Sequence, residues 1–263
     1  MKFKMIADKI VGSIIVLLAC NVFANEVPNP HQRVLFIGNS YSYYNNGIQN
    51  HLGGLVRSAG DWQTGKSRFR LSTLSGGRLA EHDADLANLI LSKNANWDTV
   101  VLQAHSNEAL HPKRIKGFQL ALKNHVALIR KHDIEPVLFM TWAYQGDAQM
   151  SKALIEVYTQ AAREHGVKLA PIGVAFAVAE QQLPQIDLFV PDVLSIDSEG
   201  ALTYKEIVKH PSVAGTYLAA CVFYALFYQR SPEGLTFTAG QTPEVAGQLQ
   251  RLAWQVTSEF NAE

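Results

Sequence analysis

The sequence predicts an α/β fold, a three-layer α/β/α sandwich around a central, mostly parallel sheet of five strands. Three observations carry this expectation. Short runs rich in β-branched and aromatic residues alternate along the chain with stretches whose apolar residues recur every three or four positions. That alternation implies βαβ units, whose strands lie parallel with helices covering both faces of the sheet. The chain of 263 residues is 48% hydrophobic and 17% charged, enough for a large core and incompatible with intrinsic disorder.

Taken in order, Arg33 to Ile37 (RVLFI) reads as a buried strand closed by Gly38. Phe69 to Leu74, Thr99 to Gln103, Pro136 to Met140 and Val167 to Ile172 are the other four strands. Helical spacing predicts helices over Gly47 to Ser58, Leu79 to Leu91, Ile115 to Arg130 and Ser151 to His165. Two more are expected over Ser212 to Tyr228 and Pro243 to Phe260. No repeat, low-complexity tract or Gly/Ser-rich linker divides the chain, so residues 28–263 are expected to form one domain. The stretch from Leu183 to Lys209 is the least regular, and a connection of that length is usually functional or mobile.

Lys2, Lys4 and Lys9 precede an apolar stretch from Ile10 to Ala19 that is too short to span a bilayer, followed by Val22-Phe23-Ala24. This is the pattern of a signal peptide over residues 1–24, and it predicts a periplasmic or secreted protein. Leu17-Leu18-Ala19-Cys20 also fits a lipoprotein cleavage box, in which Cys20 would carry the lipid. Without the leader, 20 basic and 22 acidic residues remain, and Cys221 is the single cysteine. An intrachain disulfide is then ruled out, and no integral span is expected in the mature chain. Near-neutral charge argues against nucleic acid as a partner.

In an open α/β sheet, ligands gather at the carboxyl ends of the strands. Gly38-Asn39-Ser40 follows the first strand and presents a hydroxyl beside a helix N-terminus. Ser75-Gly76-Gly77 follows the second, where a glycine can bring a bare N–H close to a substrate oxygen. The third ends in Gln103-Ala104-His105-Ser106-Asn107-Glu108, a source of side-chain donors. Late in the chain comes His210-Pro211-Ser212, where Pro211 at a first helical position would pin His210 at the helix entrance. An ordinary imidazole pKa of ~6.5 suits a general base. Tyr43, Tyr44, Trp142 and Tyr144 follow strands at the same edge and could form an aromatic wall for substrate. Cys221 lies in an apolar helix and reads as a buried, inert thiol. The scattered histidines have no metal-site context, and neither metal nor cofactor is expected. No GxGxxG or P-loop follows the first strand, against a nucleotide-binding reading of a flavodoxin-like sheet.

These blocks resemble the SGNH branch of the GDSL-type serine hydrolases, over about Arg33 to Tyr228. The resemblance implies Ser40 as nucleophile, His210 as base and an oxyanion hole built from the Ser40 and Gly76 N–H groups, Gly77 being the lesser candidate for the second. Asn39, Trp142 and Tyr144 are the substrate-binding candidates. Two departures stand out. The family's third block, Gly-x-Asn-Asp, is absent, which leaves Gln103 as the oxyanion donor, with His105 and Asn107 behind it. The family's Asp three residues before the His is replaced by Ile207, which leaves Glu206 as the candidate carboxylate, one residue out of register. Losing the acid's role in a serine triad lowers turnover by roughly 10⁴, so a Ser-His dyad stays viable. The expected function is an exported carboxylic ester hydrolase, its substrate a small-molecule ester or an acylated carbohydrate. The alternative is a weakly active or inactive protein of this fold that binds glycan or envelope ligands.

Overall fold

The computed structural model describes residues 31–93 and 95–260; the expected leader, with Cys20 and its alternative lipid site, lies outside them. Five strands form one parallel sheet: β1 (Arg33–Gly38), β2 (Arg68–Thr73), β3 (Thr99–Gln103), β4 (Glu135–Phe139) and β5 (Lys168–Ala170), in the order β2-β1-β3-β4-β5. Side chains along a strand alternate between faces, and the sequence is apolar on both. Val34 and Phe36 of β1 join Val101, Val137 and Phe139 in one core, whereas Leu35 and Ile37 join Val100, Leu102 and Leu138 in the other.

The first core is closed by α2 (Ile48–Ser58), α6 (Ile172–Gln182), α7 (Val213–Tyr228) and α8 (Pro243–Phe260). The second is closed by α3 (Asp83–Leu91), α4 (Ile115–Lys131) and α5 (Ala148–His165). A one-turn helix, α1 (Ser40–Tyr43), follows β1 directly, and a 3₁₀ turn over Leu79–His82 leads into α3. Every residue from Ala214 to Phe227 is buried, because α7 packs against α2, α6 and α8 at once. Cys221 lies within it, and burial pushes its thiol pKa far up, so it is held protonated.

Two parts of the chain differ from the sequence expectation. The fifth strand ends at Ala170, and α6 takes up the residues from Ile172 onward. Buried Ile172, Ala175, Phe176 and Ala179 are interleaved with half-buried Val174 and Val178, so the helix is apolar nearly all round and shows no amphipathic stripe. The irregular stretch from Leu183 to Lys209 contains three short strands. β6 (Phe189–Val190) pairs antiparallel with β9 (His210–Pro211), and between them a hairpin, β7 (Val193–Ile196) and β8 (Leu202–Tyr204), stands exposed along its whole length. The chain leaves β1 toward β2 on one side, and β3 lies on the other, so a crevice opens at their carboxyl ends. Among the described residues, no helix is long and apolar enough to cross a membrane.

Candidate active site

The turn after β1 is fixed from below by Gln103, the last residue of β3. Its side-chain oxygen accepts hydrogen bonds from the Asn39 N–H (2.9 Å) and the Ser42 hydroxyl (2.8 Å). Its amide nitrogen donates to Asn39 Oδ1 (2.9 Å) and to the Ala104 carbonyl. Gly38 is required there, because a Cβ would lie 2.2 Å from Gln103 Oε1. Asn39 caps α1: its Oδ1 also accepts from the Tyr41 N–H (3.2 Å), while its Nδ2 donates to the Gly77 carbonyl (2.9 Å). Ser40, the first residue of α1, is thereby held over a fully paired polar network at the mouth of the crevice.

His210 faces it. Its Nε2 lies 2.9 Å from Ser40 Oγ, and its Nδ1 lies 2.6 Å from Asp192 Oδ1. A carboxylate at Nδ1 selects the tautomer protonated there, so Nε2 is left to accept the Ser40 proton. Asp192 is 18 residues before His210 in the chain, yet the β6–β9 ladder sets Val190 opposite His210 and delivers the carboxylate to the ring. Lys205 closes the other end of this segment, its N–H donating to the Asp192 carbonyl (2.9 Å) and its ammonium lying 3.8 Å from Oδ2. On the preceding residue, the Lys209 carbonyl accepts from Trp142 Nε1 (2.9 Å).

A cleft of about 430 Å³ opens over this array, lined by Asn39, Ser40, Tyr43, Tyr44, Ser75 and Gly76 on one side and by His105, Ser106, Val193, Lys205 and Lys209 on the other. Gly76 has φ +65°, a backbone conformation that a side chain would strain. The N–H groups of Ser40 and Gly76 have no protein acceptor among the described residues. A buried carboxylate ties the two neighbouring loops together: Glu108 accepts from the Leu79 N–H (3.1 Å) and the His105 N–H (3.0 Å). Burial raises its pKa, and the two N–H donors oppose that rise. Burial likewise lowers the pKa of His105, which favours its neutral form beside the cleft.

The structure brings Ser40, His210 and Gly76 to one cleft, and relocates several other expected residues. Glu206 is exposed and is not the residue at His210 Nδ1; Asp192 occupies that position. Gln103 is fully buried with both amide hydrogens committed to Asn39 and Ala104, so it cannot donate to a substrate oxyanion and serves as a brace instead. Trp142 is also fully buried, stacked between Tyr41 and Phe176 at 4.2 Å from each, and is out of reach of substrate. Tyr144 is half-buried outside the cleft wall. Asn39 reaches the cleft, but its side chain is spent on the turn. Pro211 sits in β9 rather than at the first position of α7, where Ser212 is the cap; His210 is held by the ladder with Val190. Asp192 was missed because its link to His210 is a two-residue ladder with no periodicity to read. The length and irregularity of the stretch that holds it were the available signal.

No family model and no curated protein matches the chain. Among solved structures it is similar to a candidate SGNH hydrolase from Slackia heliotrinireducens, at 25% identity over 75% of this chain and 98% of that one, with a TM-score of 0.53. A DUF4886 family protein from Bacteroides uniformis (17% identity, 85% of this chain and 93% of that one, TM-score 0.59) and an acetyl xylan esterase (14% identity, 74% and 98%, TM-score 0.55) share the fold. The parallel sheet in the order β2-β1-β3-β4-β5, layered by helices on both faces, is thus of the SGNH hydrolase type in fold.

Proposed function

We propose that the protein is an exported serine hydrolase of carboxylic esters, with Ser40, His210 and Asp192 as its triad. The observation that carries this reading is the continuous hydrogen-bonded series Ser40 Oγ, His210 Nε2, His210 Nδ1, Asp192 Oδ1, at the floor of an open cleft. Ser40 Oγ attacks the ester carbonyl carbon while its proton passes to His210 Nε2. The resulting oxyanion is placed to accept from the N–H groups of Ser40 and Gly76. Collapse breaks the bond to the alcohol, which leaves with the proton from Nε2. Water, deprotonated by the same nitrogen, then releases the acid and restores Ser40. Asp192 stabilises the imidazolium in both halves.

Export rests on the basic and apolar leader of residues 1–24. Acylated carbohydrate is the substrate class we favour, because Ser75, His105, Ser106, Lys205 and Lys209 offer a cleft of hydroxyls, imidazole and ammonium groups suited to a polyol. The sharing of the fold with an acetyl xylan esterase accords with that choice. The non-catalytic binding reading draws on a missing acid and an altered third block; the Asp192 contact speaks against the first, while the second stands, with Gln103 committed to the turn. The test is a fluorophosphonate probe together with a panel of short-chain nitrophenyl esters and acetylated sugars. Wild type should be labelled and active, and Ser40→Ala should lose labelling and at least ~10³-fold in turnover. Equal rates in the two proteins would refute the serine mechanism.

A further inference from the structure

Tyr44, expected from the sequence to be part of a substrate wall, has contacts of another kind. It caps the C-terminus of α1, its N–H donating to the Ser40 carbonyl (3.2 Å), so the one-turn helix that presents the nucleophile also fixes Tyr44. Its ring lies flat on the His210 imidazole, with centroids 4.3 Å apart and planes 11° from parallel. Its hydroxyl donates to Asp192 Oδ1 (3.3 Å), the same oxygen that accepts from His210 Nδ1. The Tyr43 ring lies 5.7 Å from the Tyr44 ring and holds its own hydroxyl 3.1 Å from Ser75. One half-buried side chain therefore touches both partners of the proton relay.

We infer that Tyr44 is a positioning residue for the Asp192–His210 pair, stacking on the imidazole and holding the carboxylate oxygen that orients it. The inference rests on the serine-hydrolase reading. Its physical content has two parts. The ring face is electron-rich and interacts more favourably with an imidazolium than with a neutral imidazole, so it favours the imidazolium that forms when Ser40 gives up its proton. The phenol, a second donor to Oδ1, keeps the carboxylate from rotating away from Nδ1 toward Lys205, whose ammonium draws on Oδ2. The groups around the His210 ring are Ser40, Tyr41 edge-on at 6.2 Å, Tyr44 and Asp192, with Lys205, Lys209 and His105 farther along the same cleft wall.

The two parts separate by substitution. Tyr44→Phe keeps the stack and removes the donor; Tyr44→Leu removes both; Tyr44→Trp restores a larger ring face. The measurement is the second-order rate of fluorophosphonate labelling at Ser40 from pH 5 to 9, with kcat and KM on a short-chain nitrophenyl ester and a thermal melt for each variant. Labelling and kcat should fall roughly 3-fold in Tyr44→Phe and roughly 30-fold in Tyr44→Leu, with KM within about twofold, and Tyr44→Trp should recover part of the loss. Loss of the second donor to Asp192 should also move the acid limb of the rate profile of Tyr44→Phe upward by a few tenths of a pH unit. A labelled wild type with Tyr44→Leu reacting at the same rate and the same pH midpoint overturns the positioning role alone. So does a loss confined to KM, which would return Tyr44 to the substrate wall. A wild type that no fluorophosphonate labels overturns the serine reading, and this inference with it.

Discussion

The proposed nucleophile and the proposed acid of this site are held in opposite ways. Ser40 stands on a turn braced by buried, paired side chains: Asn39 and Gln103 exchange two hydrogen bonds at the carboxyl ends of β1 and β3, and Asn39 Oδ1 also accepts from the Tyr41 N–H. Asp192 stands at the foot of a hairpin outside both cores, with Val193, Leu194, Ile196, Leu202 and Tyr204 all exposed. An isolated two-stranded hairpin is marginally stable in water, so the carboxylate depends on its local ties, the β6–β9 ladder behind it and Lys205 across from it. The difference teaches that a preorganised site does not need every member on the core. It needs each member pinned within a residue or two of its functional atom, and the remaining chain is free to differ.

The sharpest way to test that contrast is to spoil the acid and leave the turn alone. Asp192→Asn should lower kcat by ~10³ to 10⁴ while the melting temperature stays within about 2 °C of wild type, with Glu206→Gln as a control that stays within about twofold in kcat. A Glu206 variant as damaged as the Asp192 variant would reassign the acid. The reverse experiment is Gln103→Leu, which leaves the Asn39 N–H and the Ser42 hydroxyl buried without a partner. We expect a loss of about 3 kcal/mol in denaturant unfolding, and activity should fall in step with folding; full stability in that variant would show that the brace is dispensable.

A smaller effect should come from acid. Burial lowers the pKa of His31 to about 4, and that of His51, His82, His105 and His125 below the ordinary value of 6.5. A folded state that holds these rings neutral binds fewer protons than the unfolded chain between the two values, so stability is complete above pH 6.5 and is lost as pH falls toward 4. No histidine lies between Val193 and Tyr204, so the loss belongs to the packed body of the protein. Thermal melts at pH 7.5 and 5.0 should differ by ~5 °C or more, and equal melting temperatures would contradict the buried-neutral assignment.

Much of this was legible in the residues. All five strands of the main sheet fall within a residue or two of where β-branched and aromatic runs place them, and the inner strands β1, β3 and β4 are apolar on both faces. Ser40, Gly76 and His210 were legible because glycine and proline punctuate the chain beside them. α6 was not legible, since a helix buried on most sides has no polar face to give it a period. Nor were the roles of Gln103, the last residue of β3, and Trp142, three residues past β4, which both point into the body of the protein, where Gln103 pairs with a turn and Trp142 is stacked between two rings. Position along a strand identifies the edge; it does not say which face a terminal side chain takes. Asp192 was hidden for a different reason, since its partner is 18 residues away and no local pattern records a contact made through tertiary pairing.

The pairing of Val190 with His210, with the Lys205–Asp192 contact just inside it, makes the hairpin a detour whose two ends meet. Residues 193–204 leave and return at nearly one point, so the entropy of closing that loop changes by only about 0.6 kcal/mol when its length is doubled. The detour is accordingly a place where the gene could accept insertions, a swapped hairpin, or even new chain termini opened at Gly200, with the acid still delivered to the base. In evolutionary terms, the rim of this cleft can diversify while the Ser40–His210–Asp192 contacts stay fixed.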